Sequence, residues 1–322
     1  MVHLIENLEN MSSIKGPLHL ALGVFDGIHI GHQAVIAQAV DSARRGGGTA
    51  GVLTFEPHPI RVIAPHLAPS RILASLNHKR ELLSDLGVDV LVVIRFTKEF
   101  ASVDAEKFLL SLLAAAPEIK SLSCGEDWKF GKKRKGDVAM IRQFGATHSI
   151  EVKAVEAVIL DGERVSSTRI RQAIRDGNML AARNMLGREY TVLGTVIEGR
   201  KLGRQLGFPT ANLRVYNEQL PCDGVWHVEI KLSGHHAMKG VANLGLRPTV
   251  EGAKARRLLE IHILDFAADI YGCEVEVRFL NFVRKEKKFT SLEDLQRQIE
   301  SDVAFCRKRH EPLESQSPQD IG

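Results

Sequence analysis

The stretch Gly23-Val24-Phe25-Asp26-Gly27-Ile28-His29-Ile30-Gly31-His32 constrains this chain most, because it joins an apolar run directly to the start of a helix. Residues 18 to 24 read as a buried strand, and Gln33 to Arg45 as an amphipathic helix with Ile36, Ala39, Val40 and Ala43 on one face. The run Gly46-Gly47-Gly48 stops that helix. A helix start leaves backbone N–H groups without partners and carries partial positive charge, so a glycine-rich turn at this place suits an anion. Gly27 and Gly31 let the backbone approach it closely, with Gly23, Phe25 and Asp26 leading in. His29 and His32 lie one helical turn apart, where both can donate to phosphate oxygens. The competing reading has one histidine capping the helix and the other packing in the core. Either histidine alone fits that alternative; HxGH set between FDG and a helix is the more specific pattern.

Strand-like runs then alternate with helices: 49 to 55, 88 to 96, 121 to 124 and 148 to 155, separated by 77 to 86, 103 to 115 behind Ser102, and 137 to 144. Such alternation implies a parallel sheet with right-handed crossovers and helices on both faces. With strand order 3-2-1-4-5, a ligand sits where the order reverses, between strands one and four. The loops there are FDGIHIGH and Gly125-Glu126-Asp127-Trp128-Lys129-Phe130-Gly131. The second is not a Walker A loop, since five residues separate its glycines and no Ser or Thr follows Lys132. Lys132 to Lys135 is a solvated basic run or an attractor of anions. Thr54-Phe55-Glu56-Pro57-His58-Pro59 is a stiff loop or a binding loop on the same edge. In Val165-Ser166-Ser167-Thr168-Arg169-Ile170-Arg171, three hydroxyls and two guanidiniums in seven residues suit a phosphate clamp better than a plain cap.

Past Gly187 the pattern changes to strands without helices between them: 191 to 198, 224 to 232, 239 to 244, 258 to 264 and 273 to 282. This implies an antiparallel barrel, closed or nearly so. A last helix, Ser291 to Arg307, is marked by a Thr290/Glu293 capping box and by Leu292, Leu295, Ile299, Val303 and Cys306 on one face. The expected fold class is therefore α/β plus β: a doubly wound parallel-sheet domain over 1–186, a barrel domain with its helix over 187–310, and a disordered tail over 311–322. Between the first two barrel strands, Gly199, Gly203 and Gly207 alternate with basic residues including Arg204, which suits a flap over polyphosphate. Pro209 stiffens the residues after it, and Thr210 and Asn212 face one way on a strand, where their oxygens suit Mg2+. A surface hairpin with a buried Thr and Asn is the alternative.

Composition excludes rather than identifies. A net charge of +4 over 322 residues is too mild to argue for nucleic acid, and no apolar run reaches the length of a membrane span. The start lacks a basic-then-apolar leader, so a cytoplasmic location is expected. The cysteines 124, 222, 273 and 306 form no CxxC pair, which argues against zinc or a disulfide framework. Oligomeric state stays open, a homo-oligomer included.

GVFDGIHIGH, TFEPHP, CGEDWKFG and VSSTRIR, in that order, resemble the adenylyltransferase module of the prokaryotic bifunctional riboflavin kinase/FAD synthetases. GRKLGRQLGFPTANL, GVANLGLRPTVEG, LEIHILDF, DIYG and RKEKKF resemble the flavokinase module, so the likeness spans about residues 15 to 308. The resemblance implies a Rossmann-like HxGH nucleotidyltransferase domain and a flavokinase barrel. It implies riboflavin, FMN, FAD and ATP as substrates and products, with Mg2+, and neither nucleic acid nor membrane as partner. By motif it makes Thr210 and Asn212 metal ligands, Glu260 the general base, and His29, His32 and Arg171 the groups acting on phosphate, beside Ser166, Ser167 and Thr168. Flavin contacts fall to Glu126, Asp127, Trp128, Phe130, Arg284 and Glu286. Trp226 and Trp128 stand where the family usually has Tyr and Phe. Two rivals are an HxGH adenylyltransferase for another phosphorylated acceptor with a flavin-binding barrel, and a non-catalytic flavin-binding protein. PTAN and Glu260 argue against both.

Overall fold

The computed structural model describes residues 2–69, 71–199, 202–216, 218–247 and 256–308. The tail 311–322 and the flap residues Arg200 and Lys201 lie outside the described residues. The chain forms two compact units, Met1–Ile72 with Leu76–Ser166, and Leu73–Ser75 with Ser167–Gly322.

In the first unit, six parallel strands are ordered β1-β4-β3-β2-β5-β6. They are β1 (His3–Glu6), β2 (Leu18–Leu22), β3 (Thr49–Glu56), β4 (Val90–Arg95), β5 (Ile119–Gly125) and β6 (Glu151–Val155). The last five keep the order expected from sequence, and β1 adds parallel to the outer edge of β4. Four residues, HLIE, carry too little periodicity to announce that edge strand. Because side chains alternate across a strand, Leu20, Leu22, Leu53, Val92 and Ile94 face one core, and Ala21, Val52, Leu91 and Val93 the other. Helices α5 (Ala105–Ala115) and α6 (Val138–His148) cover the first face, and α1 (Ile30–Gly46) and α3 (Leu76–Asp85) the second. Short helices α2 (Pro59–Ile63) and α4 (Lys98–Ala101) and a hairpin, β7 (Ile159–Leu160) with β8 (Glu163–Arg164), complete the unit. Ser102 does not cap α5 as expected; it ends α4 and donates to the Glu99 carbonyl, while Asp104 precedes α5.

The second unit opens with α7 (Ser167–Arg175) and α8 (Met179–Leu186) and contains a closed antiparallel barrel. Its strands β9 (Thr191–Ile197), β10 (Ala211–Val215), β11 (Gly224–Leu232), β12 (Met238–Arg247), β13 (Arg256–Ile263) and β14 (Glu274–Arg284) run in the order β10-β13-β12-β11-β14-β9, and β9 pairs with β10 to close it. A one-turn helix, α9 (Leu202–Gln205), lies between β9 and β10. Trp226, Val228, Ile230, Leu259, Ile261, Val277 and Phe279 are buried and fill the barrel. Trp226 is fully buried, edge-on to Phe279 and Phe282, with its indole N–H on the Cys222 carbonyl. It is a core residue of the barrel.

Glu218, 0% exposed, accepts from the backbone N–H of Ser75 at 2.7 Å and of Leu193 at 2.9 Å, which holds the 73–75 segment in this unit. The last helix, α10 (Leu292–Lys308), packs Val303 and Cys306 on the barrel's outer face at Val225 and Val241. Its cap is shifted from the expected Thr290/Glu293 box: the Ser291 hydroxyl accepts from the Asp294 N–H at 3.1 Å. Leu292, expected on the apolar face, is 59% exposed because it stands at the first turn, ahead of the contact.

Candidate functional sites in the two units

In the first unit the FDGIHIGH turn leaves β2 in a strained conformation. Phe25 and Ile28, neither of them glycine, take φ of 50° and 45° beside Gly27 at 81°. Left-handed residues of this kind cost about 1–3 kcal/mol each and are kept where the surroundings determine them. The result is a tight reversal that sets His29 at the N-cap of α1, its Nδ1 accepting the His32 N–H at 3.3 Å. The two imidazoles stack 3.6 Å apart, and the Phe25 ring meets His32 edge-on at 5.4 Å. Capping and phosphate binding, weighed as alternatives from sequence, use different atoms of one ring: Nδ1 caps, and Nε2 is the nitrogen that can serve a ligand. Burial, first, and the neighbouring His29, Lys79 and Arg164 push the His32 pKa well below 6.5.

Arg164 on β8 binds the loop after β5 and lies within electrostatic reach of His32 in the turn after β2. Its guanidinium makes a two-bond ion pair with Asp127, one bond at 3.0 Å, and holds the Asp127 carboxyl below the usual carboxylate range. The Glu126 carboxylate accepts from the Ala157 N–H at 3.3 Å. Trp128 stacks on Phe130 at 4.8 Å; Phe130 itself is buried in the sheet core against Phe108, so Trp128 is the ring of that loop nearer solvent. Ser166 ends the first unit, and Ser167, Thr168 and the buried Arg171 stand at the start of α7 in the second.

In the second unit a cavity of about 600 Å³ lies against the outer face of the barrel. Thr210, Asn212, Asn243, Glu260 and His262 line one side, and Leu206, Phe208, Val225, Val241, Leu258, Leu295 and Ile299 supply the apolar wall. Strand pairing explains the polar row. Asn212 on β10 and Asn243 on β12 are both register partners of Glu260 on β13, so the carboxylate has an amide on each side. Thr210 and His262 continue the same face two residues along. His262 Nδ1 donates to the Pro209 carbonyl at 2.8 Å and fixes the turn into PTAN. Gly199 also lines the cavity, and a Cβ there would collide with the Asn212 amide, so only glycine fits. Gly203 lines the cavity too, and Arg204 and Gly207 near it are exposed.

Arg284 and Glu286 both reach this cavity. The Arg284 guanidinium is held on both sides of Asp302 of α10, at 2.7 to 3.1 Å, and Asp302 is 4% exposed. The pair ties the end of β14 to the helix that closes the cavity.

Sequence reasoning passed over Lys79, Arg164, Asn243 and His262. Lys79 was detectable: it sits on the stripe Leu76, Lys79, Leu83 of α3, a lysine at a core position. Arg164 lay just ahead of VSSTRIR, and Asn243 breaks the apolar alternation of β12.

The first half of the chain matches the FAD synthetase family model over residues 12–169, and the second matches the riboflavin kinase model over 186–310. A bifunctional riboflavin kinase/FMN adenylyltransferase from Haemophilus influenzae is 39% identical over 306 residues, 95% of this chain and 98% of that one. The Escherichia coli K12 protein of the same description is 36% identical over 306 residues, 95% and 97% of the two chains. A solved structure from Streptococcus pneumoniae, described as a macrolide-efflux protein, matches with a TM-score of 0.82 at 31% identity, over 96% of this chain and 100% of that one. No helix among the described residues is long and apolar enough to cross a membrane. By both family models and by relatives that match nearly end to end, this chain belongs to the bifunctional riboflavin kinase/FMN adenylyltransferase family.

Proposed function

We propose that this chain makes FMN and then FAD: the part from 187 to 310 phosphorylates riboflavin with ATP, and the part from 1 to 186 transfers AMP from ATP to FMN, releasing pyrophosphate. The observation that carries the reading is the row Asn212, Glu260 and Asn243 across three paired strands, at the polar side of a cavity whose other wall is apolar.

A primary hydroxyl is a poor nucleophile near neutral pH, so the kinase step needs a base within reach. Glu260 takes that proton, and its two amide neighbours keep the carboxylate oriented. The apolar wall takes the flavin ring, with Arg284 and Glu286 at its edge, and the flap residue Arg204 faces the phosphates. Thr210 and Asn212 are hard oxygen donors beside a carboxylate, a set that fits Mg2+. The ion, when bound, neutralises phosphate charge.

The adenylyl step starts from a phosphate that is already mostly dianionic at pH 7, since its second pKa is about 6. No base is required; two anions must be brought together and the charge at the α-phosphate stabilised. His29, His32 and the first N–H groups of α1 donate to the phosphates, aided by Ser166, Ser167, Thr168 and Arg171. Asp127 and Trp128 hold the flavin, with Glu126 and Phe130 supporting their loop. Dependence on ATP for both steps fits a cytoplasmic enzyme.

The test is to incubate the protein with riboflavin, ATP and Mg2+ and to separate the flavins over time. FMN that appears and then gives way to FAD supports both steps. FMN that accumulates with fresh ATP and pyrophosphatase present removes the adenylylation of FMN.

A further inference from the structure

Lys79 is 5% exposed, and its ammonium lies beneath the FDGIHIGH turn. Taking a lysine out of water costs several kcal/mol unless its charge is met by partners. Its Nζ donates to the Val24 carbonyl at 3.4 Å, and the Thr54 hydroxyl donates to the same oxygen at 2.7 Å. That carbonyl belongs to the peptide leading into Phe25, the first left-handed residue of the turn. Two donors therefore fix the peptide whose orientation sets Phe25 against His32. The carboxylates facing Lys79 are Asp26 of the turn and Glu56 at the end of β3. The charged or titratable groups facing His32 are His29, Lys79 and Arg164.

We propose that Lys79 is a positioning residue for adenylyl transfer: its buried ammonium pins the strained Val24–Phe25 turn and sits beside the stacked His29 and His32, holding both rings where they can donate to phosphate. The proposal rests on the adenylylation reading above and adds a residue from α3, outside the HxGH motif. Burial lowers the Lys79 pKa while Asp26 and Glu56 act the other way. A structural account would give the lysine only the task of neutralising Asp26 and Glu56.

The two accounts separate in Lys79→Met and in the double variant Lys79→Met/Glu56→Gln, which removes one facing carboxylate without altering the turn. Displacing a reacting group by about 1 Å costs about 100-fold in rate. The expected result is a loss of about that size in kcat for FAD formation from supplied FMN in both variants, with FMN formation from riboflavin unchanged as the internal control. Histidine NMR titration of the same proteins should place His32 at a higher pKa once the neighbouring ammonium is gone. Recovery of FAD formation in the double variant, or a His32 titration unmoved by Lys79→Met, overturns the proposal. A wild-type protein that fails to adenylylate FMN removes the reading of the reaction, while the His32 titration still decides the role of Lys79.

Discussion

His29 and His32 stack ring on ring, 3.6 Å apart and 19° from parallel, while Nδ1 of the first accepts the backbone N–H of the second. One side chain thus starts α1 through Nδ1, and its Nε2 is the atom proposed to serve phosphate. His29→Ala should cost about 1 kcal/mol of stability, the usual worth of a cap. His29→Asn restores a capping oxygen, but its shorter amide places no donor at the reach of the imidazole Nε2. It should keep the stability yet lower FAD formation about 10²–10³-fold, the loss expected for one phosphate-directed donor. Urea unfolding and the flavin assay, run on both variants, check this; equal loss of activity and stability in His29→Asn would refute it.

The first unit should lose stability as pH falls below 6.5. His32 is held well below that value chiefly by burial, and His19, buried with its Nδ1 at 2.9 Å from the Ser121 hydroxyl, is lowered by burial and then by Lys153, against Glu151. Unfolded histidines take up a proton near 6.5, and these two folded ones do not until lower pH. Below 6.5 the unfolded chain binds more protons, so stability drops with pH; above 6.5 neither group contributes. Denaturant unfolding on either side of pH 6.5 reads the slope, and His19→Asn should flatten it.

Glu260→Gln should abolish FMN formation, a loss of about 10²–10⁴-fold for a general base, and leave adenylylation of supplied FMN intact. Asn243→Leu, similar in size but without the amide opposite Glu260, should lower FMN formation about tenfold, roughly the worth of one hydrogen bond to a charged group. Single-substrate assays of each variant check both, and a parallel fall in FAD formation would count against separate sites.

Asp302→Ala removes the partner that holds Arg284 between β14 and α10. The barrel unit should lose about 1–3 kcal/mol, since a charged donor is left without its acceptor. Because Leu295 and Ile299 of the same helix wall the cavity, KM for riboflavin should rise more than kcat falls. Steady-state kinetics separates the two; an unchanged KM would show that α10 does not close over the flavin.

The sequence by itself determined what periodicity and chain order can carry. Alternating runs with glycine stops specified the parallel sheet, and helix-free strands specified the barrel, because burial of one face repeats every two or 3.6 residues whatever the rest of the chain does; the strand order was an assumption that the fold bears out. HxGH and PTAN were legible because their residues are local. Only the tertiary structure decided that the cavity lined by Glu260 lies outside the barrel. The lumen is already filled by Trp226, Phe279 and Leu259, so Glu260 and its neighbours point outward beneath α10. Only the fold brought Asn243 opposite Glu260, Arg164 onto Asp127 and Lys79 under Val24. Each of these pairs joins residues far apart along the chain, and hydrogen bonds and charges act over a few ångströms of space.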